Sequence, residues 1–220
     1  MSDPLPKIEL AVSSCLLGEK VRYDGGDKKL DILNDELSQF FNFISICPEV
    51  LMGLGTPRAP VYVLKENSAL SLKFRGSNED LTANAKKTYE NTIRTKLTQV
   101  KGYILKSRSP SCALRELEFV SGSLETQGLF AHYFRREFPH LVYVEEIDLT
   151  SAKGVLSFCV KIFLKAGLIM PKAEVGALFK DECDLNSPAF YEASNLLIST
   201  SLPKNLGLEA LSSLADRLSS

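Results

Sequence analysis

Three short apolar runs, each followed at once or within a few residues by a cysteine, constrain this chain more than any other feature. Ile8-Glu-Leu-Ala-Val-Ser-Ser14 runs into Cys15, Phe43-Ile-Ser-Ile46 into Cys47, and Gly102-Tyr-Ile-Leu-Lys106 leads through Ser107-Arg-Ser-Pro-Ser111 to Cys112. Runs of that length, bounded by turn residues, read as buried strands. Stretches with helical spacing lie between them, and recurring strand–helix–strand units predict an α/β fold: a mainly parallel sheet flanked by helices. In open α/β sheets the carboxyl ends of the strands are where ligands bind. Three cysteines far apart in sequence are therefore expected to meet at one rim.

The expected strands cover residues 8–13, 43–46, 102–106, 117–120 and 142–145. Helices are expected over 31–41, from the Ser77-Asn-Glu-Asp80 cap to about Val100, and over 127–138, where Pro139 stops the last. Residues 61–64 and 70–74 read as a hairpin, and Met52-Gly-Leu-Gly-Thr-Pro-Arg-Ala-Pro60 as a long loop. From Thr150 onward only helical pieces are expected, over 155–168, 172–179, 188–198 and 208–218. The organisation predicted is thus a domain over 1–149 with a C-terminal helical appendage over 150–220.

A chain of 220 residues, 45% hydrophobic and 24% charged, can build a sizeable core. Its 26 basic and 27 acidic residues give a net charge of −1, so no nucleic-acid partner is called for. The local excess at Lys86, Lys87, Arg94, Lys96 and Lys101 lacks interleaved aromatics and reads as a solvated helix face. The first residues do not resemble a signal peptide, and the apolar stretch Val155–Met170 is broken by Lys161 and Lys165, short of a membrane span. A cytoplasmic location is the expectation, and there five cysteines point to metal binding or catalysis rather than disulfides.

Thiolates are soft ligands, so three on one rim point to an iron–sulfur cluster, or to zinc with one coordination position left open. Cys159 sits within an apolar helix and reads as core, and Cys183 lies among acidic residues that disfavour a thiolate. His132 and His140 lie away from the other candidates, which argues against a Cys–His catalytic pair and against a Cys₃His zinc site. Glu49, in Cys47-Pro-Glu49, is the best placed acid/base group. Ser109 and Ser111, around Pro110, can hold a polar substrate or assist proton movement. Arg22, Tyr23 and Asp24 form a turn near Cys15, and Gly53-Leu-Gly-Thr-Pro-Arg58 brings a second arginine near Cys47. Such arginines suit a planar, hydrogen-bonding ligand. The glycines do not match a phosphate loop.

Taken together, Ser13-Ser-Cys-Leu-Leu-Gly-Glu-Lys-Val-Arg-Tyr-Asp-Gly-Gly26, Cys47-Pro-Glu-Val-Leu-Met-Gly-Leu-Gly-Thr-Pro-Arg58 and Leu105-Lys-Ser-Arg-Ser-Pro-Ser-Cys112 resemble the thiouracil desulfurase family, as does Gly128-Leu-Phe-Ala131. The resemblance covers about residues 8–147. It implies a 4Fe-4S cluster on Cys15, Cys47 and Cys112, with one iron left for the sulfur of a thiolated pyrimidine and hydrolytic C–S cleavage to the oxo-base. It places catalysis on Glu49 and on a serine of Ser-Pro-Ser-Cys, assigned to Ser109 with Ser111 as the alternative. Arg22, Asp24, Arg58 and Ser111 are the expected substrate-binding residues. Asp27-Lys-Lys29 departs from the His or Asn of many members, and residues 150–220 lie outside the family domain. Competing readings are a sulfur carrier acting on another small molecule, or a non-catalytic iron–sulfur or zinc sensor or interaction protein.

Overall fold

The computed structural model describes residues 7–67, 69–115, 127–167 and 213–218. They divide into two compact units, one over Glu9–Ile147 and one made of the chain's two ends. The first carries a four-stranded sheet in the order β2-β1-β5-β6, from β1 (Ile8–Ser13), β2 (Phe41–Ile46), β5 (Gly102–Leu105) and β6 (Val142–Glu145). β5 runs parallel to both neighbours, with Ala11 opposite Tyr103 and Tyr103 opposite Tyr143. Leu10, Ala11, Val12 and every residue of β5 are buried, as the near-continuous apolar runs demand of strands covered on both faces. From β1 the chain passes to β2 on one side, and β5 lies on the other. The carboxyl ends of β1 and β5 thus flank a switch point, where α/β sheets place their ligands.

One expectation needs correction, and two neighbouring elements carry detail the sequence reading lacked. The helix expected over 31–41 is only one turn, α1 (Asp31–Asp35), followed by a 3-10 turn at Leu37–Gln39, and Phe41 opens β2. Ser38 and Gln39 donate side-chain hydrogen bonds to the carbonyls of Asn34 and Asp35, at 2.6 and 3.3 Å, satisfying the helix end locally. The loop over 52–60 is preceded by a further short helix, α2 (Pro48–Leu51), with Cys47 as its N-cap residue and Pro at its first position. The helix ending near Val100 is α3 (Thr82–Thr88), a π-turn (Tyr89–Ile93) and α4 (Arg94–Leu97). Its buried residues Leu81, Ala85, Tyr89, Ile93 and Leu97 recur every four positions. On an α-helix such a row drifts by about 40° per step, and the wider π-turn returns it to one face.

The hairpin forms as expected, from β3 (Val61–Glu66) and β4 (Ala69–Phe74), but as a separate two-stranded sheet. Helix α5 (Leu129–Glu137) buries Leu129, Phe130, Ala131 and Phe134. Lys86, Lys87 and Arg94 are exposed, Lys86 pairing with Glu90 and Arg94 with Glu137. The strand expected at 117–120, the helices at 172–179 and 188–198, and Cys183 lie outside the described residues.

In the second unit, α6 (Ala152–Lys165) is capped by Ser151, whose hydroxyl accepts from the Gly154 N–H at 3.2 Å. Gly154 is required there, since a Cβ would lie 1.7 Å from the Asp148 carbonyl oxygen. Cys159 is a buried residue of α6, its thiol pushed up by burial. Residues 213–218 are also helical. No helix among the described residues is long and apolar enough to cross a membrane.

The ends of β5 and β6 are joined by one carboxylate. Glu146 accepts from Lys106 Nζ at 2.5 Å, the Ser107 amide at 2.6 Å and the Ser107 hydroxyl at 2.7 Å. Burial alone raises its pKa, but the Lys106 and Ser107 bonds outweigh burial and hold it below its ordinary 4.5. A depressed carboxylate stabilises the fold above its unfolded pKa, and that contribution disappears as pH falls through the folded value. Glu146→Gln is expected to lower unfolding free energy by about 1–3 kcal/mol at neutral pH. The urea-midpoint gap from wild type should close as the solution is acidified below the ordinary glutamate pKa. A gap independent of pH would contradict this account.

Candidate metal centre

Three strand ends deliver the thiols. β1 passes into a 3-10 turn, Ser14–Leu17, that carries Cys15; β2 ends at Cys47; and the segment after β5 turns at Ser109–Cys112. Cys15, Cys47 and Cys112 all line one cavity of about 160 Å³. Burial raises all three thiols, Cys15 to about 11, and Cys47 raises both Cys15 and Cys112 further. At Cys15, the Lys106 and Arg22 cations pull the other way. At Cys47, the Val50 backbone N–H, one turn on in α2, favours the thiolate. Among the described residues no three His, Cys, Asp or Glu side chains stand close enough together to hold a metal ion.

The Ser109–Cys112 loop is clamped from both sides. Its Pro110 and Ser111 carbonyls accept the first amides of α5, from Leu129 at 3.0 Å, Phe130 at 3.0 Å and Ala131 at 3.2 Å. These are donors that a helix start otherwise leaves unsatisfied. Gly128 makes the approach possible, since a Cβ there would lie 2.6 Å from the Ser111 carbonyl carbon. Within the loop the Ser109 hydroxyl oxygen accepts the amides of Ser111 at 3.2 Å and Cys112 at 3.1 Å.

Glu49, 9% exposed, lines the cavity and is held at both oxygens. Ser111 donates to Oε1 at 2.8 Å, while Arg58 donates to Oε2 from Nε at 2.8 Å and pairs with it through Nη2 at 2.7 Å. The third guanidinium nitrogen donates to the Gly55 carbonyl at 2.7 Å, so Arg58 is fixed between the loop and Glu49. Both guanidinium contacts fall on Oε2 and the Ser111 hydroxyl on Oε1, so the two partners together set the carboxylate's orientation.

Arg22, Arg58 and Ser109 line the cavity, whereas Ser111 and Asp24 do not. Ser111 is buried and donates its hydroxyl to Glu49 Oε1. Asp24 lies outside the lining and pairs with Arg22 at 3.5 Å, while its carboxylate accepts the Gly26 amide at 3.0 Å. Sequence reasoning missed Ser13, Lys106 and Ser107 on the wall. Lys106 and Ser107 directly follow β5 and Ser13 ends β1, so the rule that singled out the cysteines reaches them too.

Gly128→Ala is expected to cost about 1–3 kcal/mol through overpacking against the Ser111–Cys112 backbone. Chemical denaturation of the cofactor-free variant measures it, and an unchanged midpoint would contradict the close approach.

Residues 10–146 match the sequence model of the 2-thiouracil desulfurase family. No curated protein matches the chain. Among solved structures, a 4Fe-4S-dependent thiouracil desulfidase, TudS (DUF523Vcz), is similar at 29% identity and a TM-score of 0.57, over 70% of this chain and 99% of that one. The family match spans more than half of the residues and includes all three strand-end cysteines, Glu49 and the Ser109–Cys112 loop. This chain belongs to the 2-thiouracil desulfurase family.

Proposed function

We propose that this protein removes sulfur from a small thiolated pyrimidine such as 2-thiouracil, by hydrolytic C–S cleavage at a 4Fe-4S cluster held by Cys15, Cys47 and Cys112. The observation that carries this reading is one cavity wall shared by three thiols and a carboxylate fixed at both oxygens. Family membership and the likeness to TudS support it.

The donor set fits the cofactor. A tetrahedral zinc ion with Zn–S bonds of about 2.3 Å needs its thiolates tightly gathered. In a multi-iron cluster each thiolate binds a different iron, so the ligands stand further apart. Three soft thiolate donors on one cavity wall suit an iron–sulfur cluster. When bound, such a cluster supplies an iron without a protein ligand, a Lewis acid for the thione sulfur that leaves the adjacent carbon open to attack.

The protein's own groups account for the rest. A guanidinium and a hydroxyl orient Glu49, and its remaining oxygen lone pairs can accept a proton from attacking water. Ser109 spends its oxygen lone pairs on two amides, which leaves its proton to donate to a ring nitrogen or the leaving sulfur. Arg22, with Tyr23, walls the outer cavity and can bind a planar, polar base. Arg58 acts through Glu49. A sensor or a sulfur carrier would need the thiols but not a carboxylate fixed in this way. In this reading residues 1–149 form the desulfurase domain and 150–220 an extension outside it.

Glu49→Gln should retain iron and visible cluster absorbance yet release sulfide from 2-thiouracil at least about a hundredfold more slowly. Cys15→Ala, Cys47→Ala and Cys112→Ala should each lose cluster and turnover, while Cys159→Ala keeps both. Wild-type turnover in Glu49→Gln would overturn the assigned role.

A further inference from the structure

On the hydrolytic reading, each turnover leaves a proton to be removed. Water brings two protons to the thiocarbonyl carbon, and once the C–O bond has formed and the C–S bond has broken, the new carbonyl oxygen keeps neither. Near neutral pH the hydrosulfide leaves with one, and the other must reach solvent. Glu49 can take that proton, but its own partners offer no way out. Arg58 stays protonated and only donates, while buried Ser111 directs its hydroxyl at Glu49 itself.

The cavity wall holds a chain of groups that does reach the surface. Ser14 opens the 3-10 turn that carries Cys15, is 3% exposed and lines the cavity. Its Oγ lies 2.6 Å from the Oγ of half-buried Ser45 in β2, and Ser45 Oγ also bonds to Oε1 of exposed Glu19. A hydroxyl carries a single proton, and an ionised carboxylate can only accept. With Ser45 donating to Glu19, the proton between the two serines is the one on Ser14. The bonds therefore run outward, from Ser14 to Ser45 to Glu19, and leave the Ser14 lone pairs to accept from the cavity. Ser14 and Ser45 alone would join the turn to β2, whereas Glu19 adds an acceptor in contact with water. Ser107 also pairs with a carboxylate at the wall, but that chain stops at Glu146, whose side chain is 13% exposed and ion-paired with Lys106.

We propose that Ser14, Ser45 and Glu19 form a relay that carries the reaction's surplus proton from the cavity to solvent. The inference rests on the hydrolytic reading above and deepens it. Ser14 accepts a proton from the cavity side and passes its own to Ser45. Ser45 passes its own to Glu19, and the Glu19 carboxyl releases it to water. Only O–H bonds are made and broken, no oxidant or reductant is needed, and rotation of the two hydroxyls restores the chain. Ser45 and Glu19 act through Ser14 and touch no reacting atom.

The test compares anaerobically reconstituted wild type, Glu19→Gln and Ser45→Ala at equal iron content, with 2-thiouracil as substrate and rising concentrations of HEPES as a diffusible proton acceptor. The proposal expects both variants to lose at least about tenfold in kcat at low buffer, with KM unchanged. Added buffer should restore their kcat toward that of wild type, which is itself insensitive to buffer. Variants that stay slow at every buffer concentration would reveal a structural defect and overturn the relay. Variants as fast as wild type at the lowest concentration would overturn it too, and in both cases desulfuration stands. A wild type that binds no iron, or releases no sulfide when loaded, would overturn the proposed reaction and the relay with it. Glu19→Gln, altered at the exposed end, carries the test if Ser45→Ala fails to load. The chain itself is checked without cofactor, by chemical unfolding of Ser45→Ala, Glu19→Gln and the double variant. Both substitutions remove the same bond, so their effects on stability should be non-additive. Strict additivity would overturn the inference.

Discussion

The parallel pairing of β5 with β1 on one side and β6 on the other is the contact on which the site depends. It buries all of β5 and delivers Lys106, Ser107 and the Cys112 loop at one end. The loop beyond cannot be placed by the sheet alone. Its position comes from the α5 amides on one side and from the Ser111–Glu49 hydrogen bond on the other. Cys112 is therefore tied to Cys47 through a short chain of groups: Ser111, Glu49 and the α2 turn.

The electrostatics of the empty-handed thiols follow from the same burial. Desolvation raises Cys15, Cys47 and Cys112, so in the metal-free protein they favour the protonated form. On the proposed cluster reading, metal loading would displace those protons, which couples it to pH. Lys106, Arg22 and the Val50 amide oppose the penalty locally.

Much of this was legible in the sequence because the central strands are buried on both faces and read as plain apolar runs. β1, β2, β5 and β6 fall where those runs lie, and the strand-end rule brings the three cysteines and Glu49 to one cavity. What escaped depends on contacts between distant segments. Ser111 and Ser109 look alike as turn residues, and only the fold turns one toward Glu49 and leaves the other on the wall. The break after α1 and the π-turn at Tyr89–Ile93 arise from local side-chain competition and from a four-residue apolar repeat, which a 3.6-residue template passes over.

Isotope tracing of the product tests the central claim most directly. Anaerobically reconstituted protein would be given 2-thiouracil in water enriched in oxygen-18, and uracil and sulfide measured together. The account predicts one labelled oxygen in the uracil for each sulfide released. A cluster-loaded protein that releases no sulfide, or forms unlabelled uracil, would contradict it.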